Sequence, residues 1–255
     1  MGKKLENAIN LYMHGIRDGH PEEAIERYTG AAYKQHSTGV KDGKEGFIEF
    51  FQDFIKRCPE REIEVIRGWE DGRYIFVQVY QNINKGHREW VTTDFFDTDE
   101  NGKIIEHWDV ISLFFNSTPS GHTTLDGPTE ITDLDKTDAN KQVVRNMIEN
   151  VLFANSDPSK VSSYFAENLI QHVKGAADGR ANFKANIHAK DRTLYYQDIV
   201  LLVGQGNFVA TLCKASWDAQ DYAQVDIFRL EEGLIVEHWD NVEPVPEISV
   251  NSGKF

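Results

Sequence analysis

The chain has 255 residues, of which 40% are hydrophobic and 11% aromatic, and its formal net charge is −14. This length suffices for one large domain or two of ordinary size, and the apolar content suffices for a packed core. A surface this acidic repels phosphate backbones and anionic lipid, so we expect neither nucleic acid nor a membrane as a partner. No stretch approaches the ~20 apolar residues that a membrane span requires.

Cysteine usage and the first residues indicate the cellular setting. The two cysteines, Cys58 and Cys213, form neither a disulfide framework nor a CxxC metal site. The opening residues, MGKKLENAINLYMHG, have no apolar run behind their lysines, so no signal peptide is predicted. We therefore expect a reducing, cytoplasmic location.

In chain order, the first half begins with two predicted helices, at residues 5–17 and 21–28. A Gln-His segment and an Asp-Gly turn follow, and then a third helix. That helix carries an apolar stripe formed by Phe47, Phe50, Phe51, Phe54 and Ile55. Four strands come next, separated by Asp-Gly and Asn-Gly turn signals, at 63–69, 74–82, 89–97 and 103–113.

The second half repeats this order. Residues 116–137 are polar and rich in turn formers, which is typical of a linker. Helices are then predicted at 141–153 and 158–165, with a third around Phe183 and Ile187. Strands follow at 197–203, 208–217, 223–230 and 234–243. Three helices followed by an antiparallel meander predict an α+β fold in which helices pack on one face of a curved sheet.

Internal similarity explains why the halves agree. QHSTGVKDGKEGF at 35–47 aligns without gaps with QHVKGAADGRANF at 171–183, and EHWD at 106–109 recurs at 237–240. Shared residues in a steady register over most of each half indicate a tandem duplication. The predicted domains are therefore residues 1–115 and 138–255, joined by the linker 116–137.

The order of these motifs resembles that of SnoaL-like proteins of the NTF2-like superfamily. The resemblance is carried by the Gln-His segment leading to Asp-Gly, the Phe-rich helix, Asp-Ile-Phe-Arg at 226–229 and Glu-His-Trp-Asp. It covers nearly all of both copies and implies tandem cone-shaped folds that pack on each other as an intramolecular pseudo-dimer. The family includes polyketide cyclases that act by aldol condensation, and the superfamily includes ketosteroid isomerase and pure binding modules, so the resemblance does not decide the reaction.

Strand alternation predicts where the EHWD side chains point. It places His107 and Asp109 on one face of the last strand, together with Ile105, and repeats this arrangement at His238 and Asp240. In an apolar cavity, burial would raise the pKa of each carboxyl, whereas a charged histidine beside it would lower that pKa. The pattern predicts proton-transfer groups that can be tuned towards neutral pH.

The resemblance also implies roles for particular carboxylates. In SnoaL-type cyclases the acid/base carboxylate falls at the Asp of the HWD segment, here Asp109 and Asp240. A second polar residue about fourteen positions earlier falls on Asp94 and Asp226. The cyclases are expected to have histidine there, so their mechanism does not transfer whole. Two neighbouring carboxylates would raise the pKa of one of them, which suits a general acid.

Other polar residues leave alternatives open. His36 and His172, from the Gln-His segments, are candidates for the mouth or wall of the cavity. All four motif histidines could equally be hydrogen-bonded structural residues. Trp108 and Trp239 are predicted to be packing residues on the opposite strand face. No spacing resembles a zinc or iron signature, so neither a metal nor a cofactor is predicted.

Two functions of different classes fit these patterns. The first is a cofactor-free lyase, cyclase or isomerase that moves a proton at a carbon next to a carbonyl in a small, mostly apolar substrate. The second is a module that binds or carries a small hydrophobic ligand without turnover. Because the second copy keeps the Asp-Ile-Phe-Arg pattern better, its site ranks first.

Overall fold

The computed structural model of the protein describes residues 2–153, 156–188 and 194–255, and it contains two compact units. The first unit consists of Met1–Leu113 together with Val245–Phe255, and the second consists of Phe114–Pro244. The predicted linker thus belongs to the second unit, and residues 245–255, called the C-terminal segment below, belong to the first. This division differs from the predicted domain ranges at both places.

The first unit contains a five-stranded sheet, with helices before its first strand and between its first and second strands along the chain. Its helical elements are α1 (Lys3–Asn10), a π-helical continuation (Leu11–Arg17), α2 (Pro21–Tyr28) and α3 (Gly43–Arg57). Its strands are β1 (Thr29–Gln35), β2 (Arg61–Asp71), β3 (Tyr74–Ile83), β4 (Arg88–Thr98) and β5 (Ile104–Leu113). The order across the sheet is β1-β5-β4-β3-β2, with β1 and β5 parallel and the other neighbours antiparallel.

The second unit repeats this topology. Its helices are α4 (Thr137–Met147), which continues as a π-helical turn (Ile148–Leu152), and α5 (Arg180–His188); short 3-10 turns span Leu134–Lys136 and Pro158–Ser163. Its strands are β6 (Phe165–Gln171), β7 (Tyr195–Gln205), β8 (Phe208–Trp217), β9 (Gln220–Glu231) and β10 (Leu234–Pro244), in the order β6-β10-β9-β8-β7. The predicted tandem α+β fold is confirmed, whereas the helix predicted at 158–165 is mostly a 3-10 turn.

Two strands were not predicted from the sequence. β1 reads TGAAYKQ, and its buried and exposed residues do not alternate. Its pairing with β5 is irregular between Thr29 and Lys34. A short strand of small and polar residues gives no period-two signal, and only the tertiary pairing with β5 defines it. β6 pairs with β10 in the same irregular way.

Apolar residues of the helices pack against the inner face of each sheet. In the first unit, Leu5, Ile25 and Phe47 contribute from the three helices to a cluster that includes Ile75 and Val77 of β3. The second unit has a corresponding cluster from α4, α5 and strands β6 to β10. None of the described helices is long and apolar enough to cross a membrane.

A β-bulge immediately precedes the EHWD motif. Asp97 of β4 pairs with Glu106, and the next pair skips to Ile104, which leaves Ile105 bulged. Ile104 therefore packs in the core with the inner face of the sheet. The prediction that Ile105 shares a face with His107 is wrong, because the extra residue reverses the alternation. The same irregularity precedes the motif in β10.

Candidate functional site

The Gln-His segment and the EHWD motif interlock within each unit. Gln35 lies opposite His107 in the parallel pair, and its Oε1 accepts hydrogen bonds from His107 Nδ1 at 2.8 Å and from the Ser37 backbone N–H at 2.9 Å. Because the backbone N–H can only donate, the amide oxygen faces both groups, and His107 carries a proton on Nδ1. Gln171 and His238 form the same bond at 2.9 Å in the second unit.

The His36 side chain packs against the other face of β5 and is not among the residues that line the cavity, which favours the structural alternative for this residue. Its Nε2 donates to Glu106 Oε1 at 2.8 Å, and its Nδ1 donates to the Gly253 carbonyl at 2.7 Å. Its ring stacks on Trp108 with the centroids 4.7 Å apart. Only 1% of His36 is exposed. Its contacts are those of a packed, hydrogen-bonded structural residue.

His172 repeats this arrangement. It donates to Glu237 at 2.8 Å and stacks on Trp239 with the centroids 4.5 Å apart. The contacts of the EHWD motif are the same in both units. Its Glu accepts a hydrogen bond from the histidine of the Gln-His segment, and its Trp stacks on the same histidine. The His of the motif donates to the glutamine of the Gln-His segment. The predicted packing role of Trp108 and Trp239 is confirmed. The His and the Asp of the motif lie on the inner face of the sheet in the first unit.

The aspartates of the Asp-Gly turns reinforce this interlock. Asp42 stands at the N-terminal boundary of α3, but its side chain makes no cap hydrogen bond with the helix. Asp42 Oδ1 instead accepts the backbone N–H of Gln35 at 2.9 Å. Asp178 accepts the backbone N–H of Gln171 at 2.8 Å. The turn thus fixes the glutamine that in turn orients the motif histidine.

A cavity of about 220 Å³ lies in the first unit, between α3 and the inner face of the sheet. Its lining is largely aromatic, and one wall comes from the predicted stripe of α3, namely Phe47, Phe50, Phe51 and Phe54. His107 and Asp109 line the opposite wall together with Ile111. In the second unit, residues 189–193 between α5 and β7 lie outside the described residues, and the cavity predicted there stays a prediction.

Asp94 lies behind His107 and is fully buried. Its Oδ1 accepts hydrogen bonds from Tyr12 Oη at 2.6 Å and from His107 Nε2 at 2.9 Å. Its Oδ2 has no hydrogen-bond partner among the described residues. Burial raises the pKa of the Asp94 carboxyl, and the bond to His107 offsets only part of this rise.

Asp109 is paired with a lysine that sequence reasoning missed. Lys254 Nζ donates to Asp109 Oδ1 at 3.1 Å, and only 3% of this lysine is exposed. Burial raises the pKa of the Asp109 carboxyl, but the positive charges of Lys254 and His107 more than offset this and hold the pKa below its ordinary value. Asp109 is therefore an ionised carboxylate in the wall of an apolar cavity.

The C-terminal segment fixes Lys254 in place. Asn251 Nδ2 donates to the Ser37 carbonyl at 2.7 Å and to the Val40 carbonyl at 2.8 Å. Ser37 and Val40 both line the cavity. The segment thus runs along the loop between β1 and α3 at the cavity wall. No local sequence pattern connects Lys254 with residues so distant in the chain.

The buried carboxylate of the second unit has hydrogen-bond donors of the same kinds as Asp94, but its tyrosine comes from a different element. Asp226 accepts hydrogen bonds from Tyr196 Oη at 2.9 Å, from His238 Nε2 at 2.9 Å and from Gln224 Nε2 at 3.0 Å. Tyr196 belongs to β7, whereas Tyr12 of the first unit belongs to the helical region. The carboxylate and the histidine keep their places while the hydroxyl donor comes from another element.

Asp240 has surroundings unlike those of Asp109. No lysine or arginine forms an ion pair with it among the described residues. Burial raises the pKa of the Asp240 carboxyl. The charge of His238 lowers this pKa and that of Asp226 raises it, so that the pKa of Asp240 is about 6. Asp240 therefore exchanges a proton close to neutral pH.

Tyr33 is a second residue that sequence reasoning missed. It lines the cavity, and its hydroxyl oxygen accepts a hydrogen bond from Gln35 Nε2 at 3.3 Å. Burial raises the pKa of the Tyr33 hydroxyl, and the carboxylates of Asp109 and Asp94 add to this rise. The hydroxyl keeps its proton, which is available to an acceptor in the cavity.

Comparison with solved structures gives only distant likenesses. A candidate ketosteroid isomerase from Kribbella flavida is 13% identical and aligns over 44% of this chain and 83% of its own, with a TM-score of 0.37. A candidate polyketide cyclase from Bacillus cereus is 19% identical over 43% and 74%, with a TM-score of 0.38. An LEH-like epoxide hydrolase from M. tuberculosis is 14% identical over 42% and 85%, with a TM-score of 0.36. At these values the likeness carries no argument about the reaction.

The comparison with protein families is more specific. No curated protein matches the chain. One family model matches, described as a SnoaL-like domain, over residues 9–107. The match lies within the first unit and includes β1 to β4 and the first residues of β5. That the second copy is also SnoaL-like stays a prediction. Residues 9–107 are therefore similar to a SnoaL-like domain.

Proposed function

We propose that the first unit is a cofactor-free acid/base catalyst acting next to a carbonyl in a small, mostly apolar molecule. The observation that carries this proposal is the ionised Asp109 in the cavity wall that faces the aromatic stripe of α3. A buried carboxylate is costly unless it is paired, and the chain supplies Lys254 as its partner. The proposal concerns the first unit because its cavity is lined by described residues, although the sequence pattern ranked the second site first.

The groups on the wall suffice for a proton transfer. Asp109 would accept the proton from the carbon next to the carbonyl. The Tyr33 hydroxyl would donate a hydrogen bond to the carbonyl oxygen, where negative charge develops. Return of the proton to another carbon of the conjugated enolate gives isomerisation. Attack of the carbanion on a second carbonyl carbon gives ring closure, and the resulting alkoxide oxygen takes the proton back from Asp109. A cavity of about 220 Å³ accommodates only a small substrate.

His107 and Asp94 have a supporting role in this scheme. Both ring nitrogens of His107 are engaged, by Gln35 and by Asp94. His107 therefore does not polarise the substrate oxygen through a nitrogen atom. Its charge lies beside Asp109 and lowers the pKa of that carboxyl, so it positions and tunes the base.

Proton exchange tests the proposal directly. Small ketones are incubated with the protein in deuterated buffer, and exchange of the hydrogens next to the carbonyl is followed by NMR. We expect Asp109→Asn to lower the rate by about 10²- to 10⁴-fold because it removes the base. Tyr33→Phe is expected to lower it by about 10²- to 10³-fold. Asp218→Asn, at an exposed turn, is the matched control.

The outcome of the exchange assay also locates the site. If Asp109→Asn exchanges every tested ketone as fast as the wild type, the catalytic proposal for the first unit fails. Asp240→Asn is measured in parallel, because any exchange that depends on Asp240 belongs to the second unit. Circular dichroism of each variant verifies that the fold is kept.

One observation favours the alternative function, a binding or carrier module. The polar groups of the wall are held in internal hydrogen bonds, and the open surface offered to a ligand is aromatic, from α3 and Trp90. Such a cavity retains an apolar ligand without turning it over. This alternative predicts no ketone exchange by the wild type and an affinity for an apolar fluorescent probe that Asp109→Asn leaves unchanged.

A further inference from the structure

A cluster of metal-ligating side chains lies in the second unit, away from the inner face of its sheet. His122, Asp126 and His172 bring three ligand atoms within 4.8 Å of one another. We propose that these three side chains bind a divalent transition metal, with Zn²⁺ as the reference ion. The proposal is independent of the acid/base chemistry of the first unit.

The distances from Asp126 to the two histidines are close to those between ligand atoms of a tetrahedral site. His172 Nδ1 lies 2.8 Å from Asp126 Oδ1, and His122 Nδ1 lies 3.6 Å from Asp126 Oδ2. The centroids of the two imidazole rings are 4.9 Å apart. Zinc binds nitrogen and oxygen at about 2.0–2.2 Å, which places tetrahedral ligand atoms about 3.3 Å from one another. Small side-chain adjustments would bring all three onto one ion.

Each histidine also has a carboxylate behind it. The far nitrogen of His172, Nε2, donates to Glu237 at 2.8 Å, and Glu237 is held in turn by Arg229 Nε at 2.7 Å. The far nitrogen of His122 lies 3.6 Å from Asp178 Oδ2. Metal-ligating histidines typically donate their second N–H to such a carboxylate, which orients the ring and strengthens the ligand. A metal ion would bind the unprotonated Nδ1 of His172.

The corresponding place in the first unit lacks these ligands. There the Nδ1 of His36 donates to the Gly253 carbonyl. In the second unit the residues of the predicted linker supply a carboxylate and a second imidazole. Two nitrogens and one oxygen suit zinc, cobalt, nickel or copper better than magnesium or calcium. Since His122 is half-buried and Asp126 is exposed, a water molecule can complete the coordination.

A second trio provides a matched comparison. His14, His20 and Glu23 of the first unit also bring three ligand atoms within 4.8 Å. The remaining nitrogen of His14, Nδ1, is buried without a hydrogen-bond partner among the described residues. This trio therefore lacks the carboxylate support that His172 has, and we expect it to bind the ion much more weakly.

Metal titration of tag-free, chelator-treated protein tests the proposal. Calorimetry with Zn²⁺ and visible absorption with Co²⁺ are expected to show one tight site per chain in the wild type. We expect His122→Ala to weaken that site by at least about 100-fold, and His20→Ala to leave it unchanged. Zn²⁺ is also expected to raise the unfolding temperature of the wild type and of His20→Ala, but not that of His122→Ala.

Each alternative result overturns the proposal. Titration of the wild type to millimolar Zn²⁺ that reveals no tight site removes the ligand assignment. Binding of Zn²⁺ by His122→Ala that is as tight as binding by the wild type also removes it. Loss of the site in His20→Ala, with retention in His122→Ala, assigns the metal to the other trio. Because His122 is half-buried and lies outside the helices and strands, its alanine variant is expected to fold, and Asp126→Asn provides a second test with a smaller change.

Discussion

The aspartates of the two EHWD motifs occupy the same position in the same four-residue sequence, yet the pKa values of their carboxyls are shifted in opposite directions. Lys254 holds the pKa of Asp109 below its ordinary value, whereas the pKa of Asp240 is raised to about 6. The flanking histidine is present in both units, so it does not explain the difference. A residue more than a hundred positions away in the chain does. A repeated motif therefore fixes the geometry of a carboxylate but not its protonation.

The buried carboxylates behind the motif histidines show the opposite relation. Asp94 and Asp226 have the same kind of partners, although Tyr12 and Tyr196 come from unrelated elements. A carboxylate removed from water requires donors, and either tyrosine supplies one. The environment is kept here even though the residue that provides it has changed.

The largest expected effect comes from removing the lysine. Lys254→Met leaves Asp109 buried without its cation, and we expect a loss of about 3 kcal/mol in the free energy of unfolding at neutral pH. The pKa of the Asp109 carboxyl should rise, as at Asp240. The ionised carboxylate stabilises the wild type fully above the unfolded pKa of about 4, so the difference between the proteins should shrink as the pH falls below that value, through the lowered pKa of folded Asp109.

Urea unfolding at several pH values and carboxyl NMR titration measure these two effects. Lys41→Met is the matched control, because the Lys41–Glu49 pair is exposed and contributes little. An unchanged Asp109 titration in Lys254→Met would show that the lysine does not set the charge of the carboxylate, and the contrast between the units would need another cause.

An intermediate effect is expected from the two tyrosines. Tyr12→Phe removes one of the two donors to Asp94, whose second oxygen has no partner among the described residues. Tyr196→Phe leaves Asp226 with two further donors. We expect losses of about 2 kcal/mol for Tyr12→Phe and about 1 kcal/mol for Tyr196→Phe. Equal losses in the free energy of unfolding, measured with urea, would contradict the idea that Asp226 depends less on its tyrosine because it has more hydrogen-bond donors.

The smallest expected effect concerns the pH dependence of Asp240. Between the unfolded pKa of about 4 and the folded pKa of about 6, the folded protein holds a proton that the unfolded chain releases. Stability from this group is therefore present at low pH and lost as the pH rises through about 6. Over this range, the free energy of unfolding of Asp240→Asn should rise relative to that of the wild type, by on the order of 1 kcal/mol after solvent screening.

Thermal unfolding of both proteins from pH 4 to pH 8 measures this change in relative stability. Asp218→Asn serves as the exposed control. Parallel stability curves for the wild type and Asp240→Asn would mean that the carboxyl titrates like a solvated aspartate, and the second site would lose its near-neutral proton.

Local patterns predicted the strand face of His107 and Asp109, because alternation needs only a few neighbouring residues. They failed at Ile105, because a bulge depends on pairing with β4. Tyr33 and Lys254 gave no signal at all, since a lone tyrosine in a polar stretch and a lysine near the end have no periodicity to interpret. Fold class follows from repeated local signals, whereas electrostatic tuning depends on long-range contacts.

The discontinuous makeup of the first unit affects the order in which the chain can assemble. Residues 1–113 leave the ribosome well before Lys254, and the whole second unit is synthesised between them. Until translation reaches the C-terminal segment, nascent Asp109 lacks its counter-ion, and a separately expressed fragment 1–113 would stay in that state. Adding a peptide of residues 245–255 to such a fragment would supply the missing charge in trans.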